Sequence, residues 1–114
     1  MQYLLLIYDN EANAAPPSEE EMQEWFSFTA SIRESGNYQG GNALQPTAVA
    51  TSVRVRDGST MVTDGPFAET REQLGGYYLI EAANLDEATA IAARIPSART
   101  GTIEVRPIMV IPGA

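Results

Sequence analysis

Asp64, Glu69, Arg71 and Glu72 fall in one short segment, Asp64–Gly76, together with Phe67 and the glycines Gly65, Gly75 and Gly76. Glu69 and Glu72 stand three residues apart, so a single helical turn would point both carboxylates the same way. Three kinds of chemistry suit that pair. Arg71 could neutralise a solvated acidic turn, which is worth little energetically. Crowded like charges could raise one carboxyl into the range useful for acid–base work. Two carboxylates could also hold a hard cation such as magnesium, although no metal is expected here. Asp64 precedes Gly65-Pro66. It is either a turn residue accepting backbone N–H bonds or a carboxylate at the lip of a cleft, placed as a base. Phe67 either anchors the loop or forms the apolar wall of a pocket.

Arginines are the available clamps for an anion. Arg54, Arg56, Arg99 and Arg106 could line the polar side of a cleft, and Arg106 near Glu104 reads equally well as an ion-paired strand residue. Absences narrow the chemistry further. The chain has no Cys, no His and no Lys. Thiolate nucleophiles, Schiff-base lysines, imidazole bases and the usual zinc ligands are therefore excluded within it. Proton transfer falls to Asp, Glu, Tyr or a bound group. No glycine loop between a strand and a helix is built to cradle phosphates, so no cofactor is expected.

The 114 residues, 44% hydrophobic, suffice for one domain with a core. A net charge of −8 argues against nucleic-acid binding and against an anionic membrane surface. No apolar run approaches a membrane span. The short run Tyr3–Tyr8 has no basic residue before it, and Asp9 follows at once. That is not a signal peptide, and the default expectation is the cytoplasm.

The elements that must position these groups follow from periodicity. Tyr3–Tyr8 reads as a first strand, apolar on both faces. Ser18 and Glu21 form a capping box that opens a helix over about 19–35, with Met22, Trp25, Phe26, Thr29 and Ile32 at helical spacing and Gly36 as its stop. Trp25 and Phe26 are assigned to the inner face and Phe28 falls off it. Residues 37–47 read as irregular or weakly extended. Val49, Thr51, Val53 and Val55 alternate with polar neighbours, and Asp57-Gly58 turns this strand into a returning one over about 59–63. A strand over about 75–83 places Tyr77 and Tyr78 on opposite faces. Asn84 and Glu87 cap a second helix whose face is Leu85, Ala88, Ile91, Ala92 and Ile95, stopped by Pro96. A last strand is expected over about 102–111.

Two helices and an antiparallel sheet predict a ferredoxin-like α+β fold with both helices on one face. Strands 3–8, 77–80 and 108–111 are apolar on both faces, so the other face needs cover. A second copy supplies it most simply, which predicts a homodimer packed sheet against sheet. Loops 9–17 and 36–47 folding over the sheet are the alternative.

Asp64-Gly65-Pro66-Phe67-Ala68-Glu69-Thr70-Arg71-Glu72-Gln73-Leu74-Gly75-Gly76 resembles the signature of the DGPF branch of the YCII-related proteins. Arg54–Gly58, Tyr77–Glu81, Ala98-Arg99 and Glu104–Ile108 extend the resemblance over nearly the whole chain. It implies a dimeric α/β-barrel fold. Some YCII-related proteins carry a His/Asp pair suited to acid–base chemistry, and this chain has no His to match it. The family usually has Lys where Arg71 stands. Association of the branch with extracytoplasmic-function sigma factors implies a regulatory setting. Two functions follow as expectations. One is a homodimer binding a small polar or anionic molecule near residues 64–72, with Phe67, Arg71, Arg54 and Arg99 as ligand contacts. Its catalytic version is a lyase or isomerase using Asp64 or Glu69. The other is a regulatory module whose partner protein is linked to a sigma factor.

Overall fold

The computed structural model describes residues 1–13 and 15–114. Its elements are β1 (Gln2–Asp9), α1 (Glu19–Glu34), β2 (Tyr38–Ala43), β3 (Thr51–Arg56), β4 (Ser59–Asp64), β5 (Gln73–Glu81), α2 (Leu85–Ala92) and β6 (Thr102–Pro107). Both helix starts are capped as the sequence predicts. Ser18 accepts from the Glu21 amide at 3.1 Å, and Asn84 accepts from the Glu87 amide at 2.9 Å.

Four strands form one antiparallel sheet in the order β2-β5-β1-β6, and β3 and β4 form a separate hairpin. This is the ferredoxin-like arrangement, with the β3–β4 hairpin inserted between the second and third strands of the main sheet. The most apolar strand, β1, sits inside the sheet, paired on both edges. Leu5 opposes Tyr78 on one side and Val105 on the other.

Alternate residues of β1 and β5 turn toward the helices. Tyr3, Leu5, Ile7, Tyr78 and Ile80 are buried there against Phe28 and Ile32 of α1 and Ala88, Ile91 and Ala92 of α2. Leu5, Ile32, Ile80 and Ile95 are fully enclosed, each contributing about 1.5–3 kcal/mol by burial. Phe28 meets the edge of Tyr78 with ring centroids 5.3 Å apart.

The structure corrects the sequence reading at four places. Phe28 is buried and Phe26 is 62% exposed, the reverse of the expected assignment. The core stripe of α1 runs through Phe28 and Ile32, and Phe26 lies to one side. Residues 38–43 form a true edge strand, because β5 offers a free edge and pairing overrides the weak strand propensity of Gly40-Gly41. The last strand ends at Pro107, not 111. Pro107 pairs with Tyr3, the Ile108 amide reaches the Gln2 carbonyl, and β1 has no further residue to pair with. Leu85 is exposed at the first position of α2, outside the buried face.

The other sheet face carries Leu4, Leu6, Tyr77 and Leu79 beside Glu104 and Arg106, and among the described residues no helix or strand covers it. Arg106 Nε lies 3.7 Å from Glu104 Oε1. The hairpin is exposed on both sides, including Val53, Val55, Met61 and Val62. The chain is flat, 18 Å along its short axis, which is the thickness of one helix layer on one sheet. Its radius of gyration is 16.3 Å, against about 13 Å for a compact domain of this length.

A candidate ligand cleft beneath the first helix

Between α1 and the β2–β5 edge lies a cleft of about 730 Å³. Glycine makes the space. Gly41 of β2 and Gly76 of β5 form its floor, and Ala43 adds only a methyl. The floor is also closed to larger residues. A Cβ at Gly41 would sit 2.9 Å from both the Tyr77 carbonyl oxygen and Tyr78 Cδ1, and one at Gly76 would sit 3.0 Å from the Asn42 carbonyl oxygen. Met22, Phe26, Thr29 and Arg33 project from successive turns of α1 as one stripe. Trp25, half-buried, completes the aromatic wall with Tyr38.

Polar groups are few and placed. Thr29 Oγ1 and the Tyr78 hydroxyl are 2.7 Å apart. On the opposite face of the sheet, away from α1, Asn42 Nδ2 donates to the Tyr77 hydroxyl at 2.8 Å. The Arg33 guanidinium lies over the Tyr38 ring, 4.6 Å from its centroid. Asp9 closes the far end, and its carboxylate is already engaged: Oδ1 accepts from the Asn10 amide at 2.9 Å and Oδ2 from Thr100 Oγ1 at 2.8 Å. Burial pushes the Tyr78 phenol above its usual 10.0, against the opposing pull of the Thr29 hydrogen bond. Tyr78 is therefore a neutral hydroxyl at any physiological pH.

The residues singled out from the sequence lie elsewhere. Asp64 ends β4 and is exposed. The turn after it is held by backbone, with the Gly65 amide donating to the Ala50 carbonyl at 2.7 Å and Ser52 Oγ donating to the Gly65 carbonyl at 2.8 Å. Gly65 has φ +99°, a conformation that favours glycine. Glu69 and Arg71 are exposed, and Phe67 is 80% exposed. The Glu72 carboxylate is engaged by Thr102, whose Oγ1 donates to it at 2.9 Å. Arg54 is exposed on the hairpin, and Arg99 is ion-paired with Glu24 at 2.5 Å. None of Asp64, Phe67, Glu69, Arg71, Arg54 and Arg99 lines the cleft. Thr29, Arg33 and Tyr38, which line the cleft, were not among the site residues that the sequence suggested. The signal that could have found them is the pair of double glycines, Gly40-Gly41 and Gly75-Gly76, on two strands that turn out to be neighbours.

Among the described residues, no group of three or more Asp or Glu side chains is arranged to hold a metal ion. No described helix is long and apolar enough to cross a membrane.

A ferredoxin-like α+β domain with an inserted hairpin, and with a glycine-floored cleft between α1 and the β2–β5 edge, is the class that this geometry defines. The sequence matches the YCII-related domain over residues 1–112, and the chain belongs to that family. It is similar to an uncharacterized protein of Rhizobium meliloti (strain 1021), 40% identical over 114 aligned positions that cover 95% of this chain and 92% of the relative.

Proposed function

We propose that this protein is a homodimer that binds a small molecule in the cleft beneath α1. The cleft itself carries the proposal. It combines a floor held open by Gly41 and Gly76, an aromatic wall, and a few fixed polar groups, which is the usual composition of a small-molecule site. The proposal sets the binding site between α1 and β5, apart from the segment 64–72 that the sequence suggested.

The open sheet face and the hairpin support the dimer. The single chain exposes 8173 Å², whereas a compact monomer of this size exposes about 6,100 Å². The excess, about 2,000 Å², is more than one partner buries in a standard interface. Leu4, Leu6 and Leu79 on that face are the apolar centre that such an interface needs. In this reading the hairpin and Phe67 pack on the second copy, and Asp64 and Glu69 come to lie at the boundary between the two chains. Lyase or isomerase chemistry by those carboxylates is the catalytic form of the proposal.

A second reading is favoured by the 80% exposure of Phe67. Here the segment after Asp64 is a contact surface for a regulatory partner protein, in keeping with a sigma-factor-linked setting. Native mass spectrometry of gently purified protein separates the two readings. The first expects a dimer carrying a small-molecule adduct that is lost on replacing Phe26 with Ala. A bare monomer that captures a protein only when Phe67 is intact would replace it with the second.

A further inference from the structure

We infer that the cleft takes a small carboxylic acid with a flat aromatic body, its ring against Trp25 and Phe26 and its carboxylate on Arg33. The inference rests on the reading of this cleft as a ligand site and adds the chemical class of the ligand.

The aromatic body follows from the walls. Phe26 lies 62% exposed at the cleft rim, an unusual position for so large an apolar side chain next to a cavity. Trp25 of α1 and Tyr38 of β2 line the same space. Ring faces and edges set around a slot favour a flat ring packed among them. The floor has no side chain at Gly41 or Gly76, so a planar group can approach the backbone closely.

The acid follows from the charges. Arg33 lines the cleft, and among the described residues no carboxylate lies within ion-pair distance of it. Its contact is the Tyr38 ring, which fixes the guanidinium plane without using its N–H donors. A planar fork with unused donors matches a carboxylate. The cleft's own carboxylate cannot compete, since both oxygens of Asp9 already accept hydrogen bonds at the opposite end. Between the two ends, the Thr29–Tyr78 pair keeps one hydroxyl hydrogen free whichever oxygen donates. That hydrogen suits an additional acceptor on the ligand.

Trp25 is the single tryptophan and lines the cleft, so its fluorescence responds to a ligand bound there. The full chain is titrated with 3-phenylpropionate and, separately, with 3-phenylpropanamide, which has the same shape without the charge. The acid is expected to bind about tenfold or more tightly than the amide. Arg33→Gln should remove that preference and leave amide binding intact, whereas Arg33→Lys should retain part of it. Phe26→Ala should weaken both probes alike. Equal binding of acid and amide, or an acid preference that survives Arg33→Gln, overturns the inference and leaves the ligand site standing. Failure of both probes to move Trp25 fluorescence overturns the site itself.

Discussion

The hydroxyls of Thr29 and Tyr78 meet at 2.7 Å across the gap between α1 and β5. The contact does two jobs. It satisfies two polar groups where the core gives way to the cleft, and it fixes how far α1 stands from the sheet. Tyr78 also packs edge-on against Phe28 and Tyr38, with centroids 5.3 and 6.3 Å away. One residue thus joins the core to the wall of the site.

Replacing Tyr78 with Phe keeps those ring contacts and leaves the Thr29 hydroxyl without its partner. The expected loss is about 1–2 kcal/mol of unfolding free energy in urea. Thr29→Val should cost a similar amount. The double variant should cost less than the two together, because the pair acts as a unit. Strict additivity would mean that the hydroxyls do not interact.

The same phenol sets a pH limit. Burial raises its pKa above 10.0 in the folded state, so the folded chain holds this proton more tightly than the unfolded chain does. Its contribution is fully present below pH 10 and is lost as pH rises through the folded-state value. Stability should therefore fall above pH 10, and the fall should be shallower in Tyr78→Phe. Thermal melts of the two proteins from pH 8 to 11 provide the comparison, and superimposable alkaline limbs would refute the assignment.

Gly41→Ala and Gly76→Ala should each destabilise by about 1–3 kcal/mol, since backbone oxygens stand in the way of the new methyl. Gly40→Ala is the control. A Cβ there meets nothing within 4 Å, and the adjacent side of the strand is open. Denaturant midpoints should fall for the first two and hold for the third. A uniform drop in all three would point to strand flexibility in place of a steric floor.

Core and rim aromatics should part company under truncation. Phe28→Ala empties a buried position and should cost about 3–5 kcal/mol. Phe26→Ala removes a ring that is 62% exposed and should leave the melting temperature nearly unchanged. Calorimetry of both variants decides this, and a large loss at Phe26 would return it to the core.

That pair also shows what the sequence could reveal. Capping at Ser18 and Asn84, the Asp57-Gly58 turn and the apolar run of β1 are local signals, and each element they imply is present. The choice of face on α1 is not local. Met22, Trp25, Phe26, Thr29 and Ile32 form a broad stripe at helical spacing because the helix has two apolar neighbours, the core and the cleft. Periodicity sees the stripe and cannot divide it. The cleft floor was hidden for a related reason. Gly41 and Gly76 meet only through the pairing of β2 with β5, and Gly40-Gly41 weaken the local strand signal that would have announced β2. Asp64, Glu69 and Arg71 drew attention because charged residues were dense there. Folding instead puts them on an exposed segment, beyond the cleft.

Leu79→Glu is the sharpest test of the dimer. Leu79 opposes Leu4 at the centre of the uncovered sheet face. In an isolated chain a glutamate there would point its carboxylate toward water, and surface changes of that kind usually alter stability by less than about 0.5 kcal/mol. In a sheet-to-sheet dimer the twofold axis would bring two such carboxylates into one apolar interface, unpaired and partly desolvated. The two expectations diverge in sedimentation. Wild type should sediment as a dimer at micromolar concentration. Leu79→Glu should sediment as a monomer, with its circular dichroism spectrum retained. A wild type that is already monomeric would remove the dimer, and a Leu79→Glu variant that remains dimeric would move the interface off this face. The hairpin would then be the surface to examine, through Val53 and Val62, which oppose one another across β3 and β4 and are both more than half exposed.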